Sequence, residues 1–131
     1  MSKTKILFHI LNTILIILYI YPGSILGYLI YRNFSKQPQL TSDFFVTSDF
    51  FAISSNHVYA FFLLSVLGLF GYYKVKKFFI INYLIFISII LEILHLVIPG
   101  RSFQFADLFG NIVGVLLSIV LINIYNFWRK K

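Results

Sequence analysis

The sequence predicts an all-α integral membrane protein, a bundle of four transmembrane helices with both termini in the cytoplasm. The first observation is composition: of 131 residues, 60% are hydrophobic and 11% are charged, and the mean hydropathy is +0.90. Because a soluble domain is about a quarter charged, this chain has too few charged residues to cover a soluble surface. The other two observations are four long apolar segments and an uneven distribution of basic residues around them.

The four apolar segments are each long enough for a membrane crossing, which takes roughly 20 helical residues. They cover approximately residues 6–31, 57–73, 78–98 and 105–128, and an outer loop at 32–56 joins the first two segments. The first segment is longer than a crossing needs, and either a kink at Pro22 or a strong tilt would absorb the excess length. We treat residues 1–131 as a single membrane domain.

The basic residues predict the orientation of these segments. Eight would share one side of the membrane: Lys3, Lys5, Lys74, Lys76, Lys77, Arg129, Lys130 and Lys131. Three would lie on the other side: Arg32, Lys36 and Arg101. Lysine and arginine are enriched in cytoplasmic loops, so this asymmetry places both termini in the cytoplasm. The net charge of +7 is then mainly a topology signal, and no nucleic-acid partner is expected.

Polar residues are concentrated in the stretch 92–114, between two long apolar runs. A charged group at the centre of a membrane helix costs roughly 2.5–3.5 kcal/mol on insertion scales. A stretch that contains Glu92, Arg101 and Asp107 is therefore a candidate functional site. In the predicted topology all four acidic residues lie on the outer side, and so do His57 and His95.

Helical spacing predicts two polar stripes that face each other. Ser88, Glu92 and His95 share one face of the third helix, and Asp107, Asn111, Gly114 and Ser118 share one face of the fourth. Counted from a hairpin tip near residues 100 and 101, Glu92 lies level with Asn111. We expect Glu92 to hydrogen-bond a polar residue of the fourth helix or Arg101, and Gly110 and Gly114 to allow these two helices to approach closely. The same stripes also fit simple interhelical hydrogen bonding.

These residues resemble the signature of the VanZ-like family. The family pattern reads Glu-x-x-Gln, Pro-Gly-Arg and Asp-x-x-x-Asn-x-x-Gly, and the matching positions are Glu92, His95, Pro99, Gly100, Arg101, Asp107, Asn111 and Gly114. Upstream, the run His57-Val-Tyr-Ala60 resembles the His-x-x-Ala at the start of the family's second helix. The resemblance covers roughly residues 53–118. Two departures stand out: Ile53 and Ser54 replace the family's Asp-Lys, and His95 replaces its glutamine.

The resemblance implies a multi-pass protein of the bacterial inner membrane that acts in the cell envelope. The family's namesake is linked to low-level teicoplanin resistance, so a link to glycopeptide resistance is an expectation for this chain. Family knowledge supplies no reaction. The residues themselves must therefore suggest the chemistry.

The proposed binding residues are Arg101, Asp107, Asn111, Glu92, His57 and His95. We expect Arg101 to lie at the start of the fourth helix, where free N–H groups and the helix dipole favour a phosphate. Glu92, His57 and His95 are the candidates for proton transfer, although no catalytic residue is assigned. Two simpler interpretations of Arg101 stay open, namely contact with lipid phosphates and an ion pair with Asp107.

No cofactor and no metal site are expected. The chain has no cysteine, so it has neither disulfides nor thiolate ligands. A three-histidine metal site is disfavoured because His9 would lie on the opposite side of the membrane from His57 and His95. In the outer loop, the near repeat of residues 41–46 and 47–52 predicts either an interfacial loop or a flexible lid.

These observations favour a protein that binds, or modifies, an anionic amphiphile at the outer membrane interface. The expected partners are membrane lipids, such as a phospholipid, or a polyprenyl-linked cell-wall precursor. Two other functions stay open. One is an intramembrane enzyme that uses Glu92 and a histidine as an acid–base pair. The other is an accessory subunit that uses its polar stripes to pack against a partner helix or a second copy.

Overall fold

The computed structural model describes residues 2–48 and 51–129, and these are mainly helical. The elements, in chain order, are α1 (Lys3–Ile20), α2 (Ile25–Tyr31), β1 (Phe44–Ser48), β2 (Phe51–Ile53), α3 (Ser55–Leu94) and α4 (Phe105–Trp128). Helix α3 breaks at Lys76, whose backbone leaves the helical region (φ −142°, ψ 47°). We call the part before this break α3a, which includes the apolar span Ser55–Tyr72, and the part after it α3b, which ends at Leu94.

Four of these helices are long and apolar enough to cross a membrane: α1, α3a, α3b and α4. The prediction of four such helices is therefore confirmed within the described residues. Large apolar side chains such as Phe78, Phe86 and Trp128 are mostly exposed on the outside of the bundle. Exposed apolar surface of this extent suits helices whose outer faces contact lipid.

The break at Lys76 turns α3 back on itself. His57 in α3a and Ser88 in α3b both hydrogen-bond Asn111 of α4, although they lie far apart in sequence. Helix α4 packs beside both halves of this hairpin, and α1 packs on it as well. The buried centre consists of apolar side chains from these helices, among them Phe61, Leu84 and Ile122.

The prediction of one helix over residues 6–31, either kinked or tilted, was wrong, because α1 ends at Ile20 and a separate helix, α2, follows. Pro22 disfavours helical geometry at the residue before it, and Gly23 adopts a positive φ of 95°. The chain restarts at Ser24, whose side chain accepts a hydrogen bond from the Gly27 amide at 2.9 Å. This N-cap gives α2 its own start.

The outer loop contains an antiparallel β-hairpin, which the sequence did not predict. Strands β1 and β2 pair with Phe44 opposite Ile53 and Ser48 opposite Phe51. Residues 49 and 50, in the second copy of the near repeat, lie outside the described residues. Two hydrogen bonds hold the loop against the start of α3a. The Asn56 side chain accepts one from the Leu40 amide and donates the other to the Pro38 carbonyl.

Gly110 and Gly114 do allow a close approach of helices, but their neighbour is α3a rather than the predicted α3b. A Cβ placed on Gly114 would lie 2.6 Å from the Val58 carbonyl oxygen and 2.8 Å from the Phe62 amide nitrogen. One turn further along, Ser118 donates to the Phe62 carbonyl at 3.0 Å. Small residues therefore bring the backbones of α3a and α4 together.

We expect Gly114→Ala to destabilise the bundle by roughly 1–3 kcal/mol, because the added methyl group meets backbone atoms that cannot move aside. Gly68→Ala is the matched control. Its nearest neighbour, at 2.9 Å, is the ring edge of Phe8, a side chain that can shift. Thermal unfolding in detergent, followed by circular dichroism, measures both variants. Equal melting temperatures for the two would contradict the close packing of α3a on α4.

Candidate functional site

The six proposed binding residues come together at one end of the bundle. They come from α3a (His57), from α3b and the turn after it (Glu92, His95), from the following loop (Arg101) and from the first turns of α4 (Asp107, Asn111). Direct contacts join most of them: His57 Nε2 lies 3.5 Å from Asp107 Oδ2, and His95 Nδ1 lies 3.2 Å from Glu92 Oε2.

Tyr19 is a central member of the site that the sequence analysis missed. Its hydroxyl donates to Asn111 Oδ1 at 2.9 Å and lies 2.7 Å from His57 Nδ1. Its ring stacks on the ring of His95, with centroids 5.4 Å apart and planes 17° apart. Tyr19 is one of nine tyrosines, and nothing in its local sequence distinguishes it. Only the packing of α1 against the other helices brings it to the site.

Asn111 determines which nitrogen of His57 carries a hydrogen. Asn111 is fully buried, and its Nδ2 donates to the Ser88 carbonyl at 2.9 Å, so the amide cannot be reversed. Its Oδ1 therefore faces His57 Nδ1, 2.9 Å away. An amide oxygen only accepts hydrogen bonds, so Nδ1 of His57 must be the donor. In the neutral ring, Nε2 is then left with a lone pair that points toward Asp107.

Glu92 is fully buried beneath these residues. Its Oε1 accepts from the Gln104 amide at 3.0 Å, at the N-cap of α4. Glu92 therefore bonds the backbone of the residue just before α4, in place of the expected polar residue of the fourth helix or Arg101. The predicted register was wrong, because Ser88, one turn before Glu92, is the residue that meets Asn111. Helix α3b ends at Leu94, and the longer turn that follows shifts the two helices relative to each other.

His95 follows directly after α3b and contacts the end of α1. Its Nε2 lies 3.2 Å from the Tyr19 carbonyl oxygen, to which it donates. That assignment leaves Nδ1 facing Glu92 Oε2. Both histidines thus use one ring nitrogen to hold their position and turn the other toward a carboxylate.

Arg101 binds the C-terminus of α1 instead of the start of α4, so its expected position was wrong. Its Nε donates to the Tyr21 carbonyl at 3.2 Å, and Nη2 donates to the Leu18 carbonyl. These carbonyls have no helical partners because α1 stops before Pro22, and the negative end of the helix dipole favours a cation there. Burial lowers the pKa of Arg101, while Tyr19, Glu92 and Asp107 raise it. A guanidinium stays protonated under such conditions.

A cavity of about 530 Å³ opens beside these residues. His57, His95, Arg101 and Asp107 line it on the polar side. The remaining wall is mainly apolar and includes Leu15, Leu18, Ile25, Leu26, Ala60 and Leu63. A mainly apolar cavity of this size with a few convergent polar groups is typical of a site for a small organic ligand.

Comparisons with models of protein families, with curated proteins and with solved structures find no match to this chain. The side chains of the site itself must therefore indicate the function.

Proposed function

We propose that this protein spans a membrane and binds an anionic amphiphile, such as a phospholipid or a polyprenyl-linked precursor, in this cavity. The observation that carries the proposal is the division of the cavity into a polar part and an apolar part. A ligand with a charged headgroup and a hydrocarbon chain matches both parts, whereas a fully polar metabolite would leave the apolar wall facing water.

The headgroup would lie beside Arg101. A guanidinium has five N–H groups, and the two contacts to α1 involve Nε and Nη2. Within residues 2–48 and 51–129 these are the hydrogen bonds of the guanidinium, so the donors of Nη1 remain for a phosphate, and the α1 carbonyls hold the side chain in place. A positioned arginine loses less freedom on binding than a mobile one, which favours recognition of a phosphate.

The hydrocarbon chain of the ligand would lie along the apolar wall of the cavity. On α3a this wall continues from His57 through Ala60 to Leu63, about 9 Å further along a helix. Leu15 lies one turn before Tyr19 on α1 and extends the wall in the same direction. Apolar side chains of α2, including Ile25, cover it from another side.

We further propose that the site faces the outer side of the bacterial inner membrane. The start of α1, the break in α3 and the end of α4 lie at the opposite end of the bundle, since Lys5 Nζ lies 4.8 Å from the centre of the Tyr72 ring and Phe70 contacts Tyr125. That end carries the lysines on which the topology prediction depends. Because lysine and arginine are enriched on the cytoplasmic side of membrane proteins, we place this end of the bundle in the cytoplasm.

Membership of the VanZ-like family is also a proposal. Its support is the order and spacing of the motif from Glu92 to Gly114. Five of the motif positions, Glu92, His95, Arg101, Asp107 and Asn111, contribute to one site in the structure, as a functional signature would. A contribution to teicoplanin-type resistance would follow from that membership.

The intramembrane acid–base enzyme is a second candidate, and the two histidine–carboxylate pairs favour it. Each pair places a ring nitrogen close to a carboxylate oxygen beside the cavity, an arrangement that can exchange a proton with a bound ligand. The accessory-subunit alternative explains the buried hydrogen bonds but gives no role to the cavity.

The proposed orientation can be tested with single cysteines, because the natural chain contains none. We expect Lys36→Cys and Ser102→Cys to react with a membrane-impermeant thiol reagent added outside intact cells. Val75→Cys, at the other end, should react only after the membrane is opened. All three positions are exposed in the structure, so burial would not explain a difference. The reverse labelling pattern would overturn the proposed orientation.

Removal of the arginine charge tests headgroup binding. We expect Arg101→Gln to lower the retention of anionic phospholipid, measured by native mass spectrometry, relative to zwitterionic phospholipid in the same sample. The ratio separates charge from packing, since a loosened bundle would lose both lipids. Arg32→Gln, a surface cation that does not line the cavity, is the matched control. An unchanged ratio for Arg101→Gln would favour the accessory-subunit alternative.

A larger side chain in the apolar wall tests the position of the lipid chain. We expect Ala60→Phe to reduce retained long-chain lipid several-fold, because the ring would occupy space that the chain needs. Val120→Phe adds the same ring to an exposed position of α4 outside the cavity lining and should leave retention unchanged. Native mass spectrometry after detergent exchange measures both. Equal retention by the two variants would place the lipid elsewhere on the protein.

A further inference from the structure

Two acidic side chains, Glu92 and Asp107, lie close together at the polar end of the cavity. Two carboxylates at such a position repel each other. A cation held between them would offset that repulsion.

We propose that His57, Glu92 and Asp107 bind a divalent metal ion of the zinc class. One ligand atom from each of these residues lies within 4.8 Å of the other two. Zn²⁺ binds sets of one imidazole nitrogen and two carboxylate oxygens. Mn²⁺ also binds carboxylate ligands. The sequence analysis expected no metal because it considered a site made of three histidines. This ligand set instead combines one histidine with the two buried acidic residues.

His57 is held in the form that a metal ligand requires. Its Nδ1 donates to Asn111, which leaves the lone pair on Nε2 directed at Asp107. Metal-binding histidines usually donate their other ring N–H to an oxygen, which sets the tautomer and the ring orientation. Tyr19 and Ser88, which hold Asn111 in turn, complete this support.

The distance between His57 Nε2 and Asp107 Oδ2 also suits a shared ion. It is 3.5 Å, longer than the 2.7–3.2 Å that is normal for an N–H···O hydrogen bond. Two ligands of one tetrahedral zinc ion, each bound at about 2.1 Å, lie about 3.4 Å apart. The pair is therefore spaced as two ligands of one ion are.

Glu92 provides an independent observation. It is fully buried, and among the described residues its Oε2 has no hydrogen-bond partner. His95 Nδ1 lies 3.2 Å away, but the two atoms do not form a hydrogen bond. Burial of a carboxylate oxygen that accepts no hydrogen bond is costly, so a further ligand for it is expected. A cation between Glu92 and Asp107 supplies that ligand.

The proposed ion would keep one coordination position open toward the cavity. His57 and Asp107 line the cavity, whereas Glu92 lies behind them in the protein interior. Zinc sites with three protein ligands commonly leave the fourth position to water or a ligand. A phosphate oxygen of the amphiphile could occupy it, and this last step rests on the proposed function. The ion itself depends only on the geometry of its three ligands.

The test uses the whole protein in detergent, stripped with a chelator and then titrated with Zn²⁺ in a calorimeter. We expect one equivalent of Zn²⁺ to bind, and Co²⁺ to give visible absorption bands in its place. Asp107→Asn should weaken Zn²⁺ binding at least tenfold. Asp43→Asn is the matched control, because Asp43 lies in the outer loop and its carboxylate accepts from the Ser55 amide.

Thermal unfolding without metal separates loss of a ligand from loss of folding. Metal-free Asp107→Asn should melt at the same temperature as metal-free wild type or higher, because the repulsion from Glu92 is removed. It should lack the rise in melting temperature that Zn²⁺ gives the wild type. Absence of stoichiometric Zn²⁺ in wild type, or equal affinity in wild type and Asp107→Asn, would overturn the site. Anionic lipid retained by a wild type that binds no Zn²⁺ would overturn the metal site alone.

Discussion

The buried amide of Asn111 is the contact on which the rest of this structure depends. It donates to the Ser88 carbonyl of α3b and accepts from Tyr19 of α1 and His57 of α3a. One side chain of α4 thus joins three other helices. Inside an apolar bundle a missing partner would leave a polar group unpaired, which costs much more than one hydrogen bond contributes. The relative positions of the four helices are therefore constrained at this point.

The interruption of the first apolar segment also determines how the site is built. Because α1 stops at Ile20, the carbonyls of its last turn are free to accept hydrogen bonds from His95 and Arg101. The separate helix α2 can then leave the axis of α1 and form part of the cavity wall. Pro22 and the positive φ of Gly23 thus do more than bend a long helix, since they provide both the acceptors and the space.

The site also shows how a bundle of apolar helices accommodates acidic groups. Glu92 is surrounded by protein, and Asp107 lies beside His57 at the wall of the cavity. Each of the two histidines uses its second ring nitrogen to bond an oxygen elsewhere, so its orientation is determined by the fold. Groups that are costly to bury are retained here in a cluster, and such clustering is typical of functional positions in membrane proteins.

The sequence by itself determined the number of apolar helices and the polar stretch from Glu92 to Asn111, because both follow from hydrophobic runs and from helical spacing along one chain. It did not predict Tyr19, the contact of Arg101 with α1, or the packing of Gly110 and Gly114 on α3a. Each of these depends on which helices are neighbours. Helical spacing identifies the residues on one face of a helix, but it does not identify the helix that packs against that face. The sequence did not predict the hairpin in the outer loop, because residues 41–52 contain residues typical of turns between the aromatic residues. Only the tertiary structure decided these features, since hydrogen bonds and close contacts between distant segments, such as those of Asn111 with three other helices, select one arrangement of the helices.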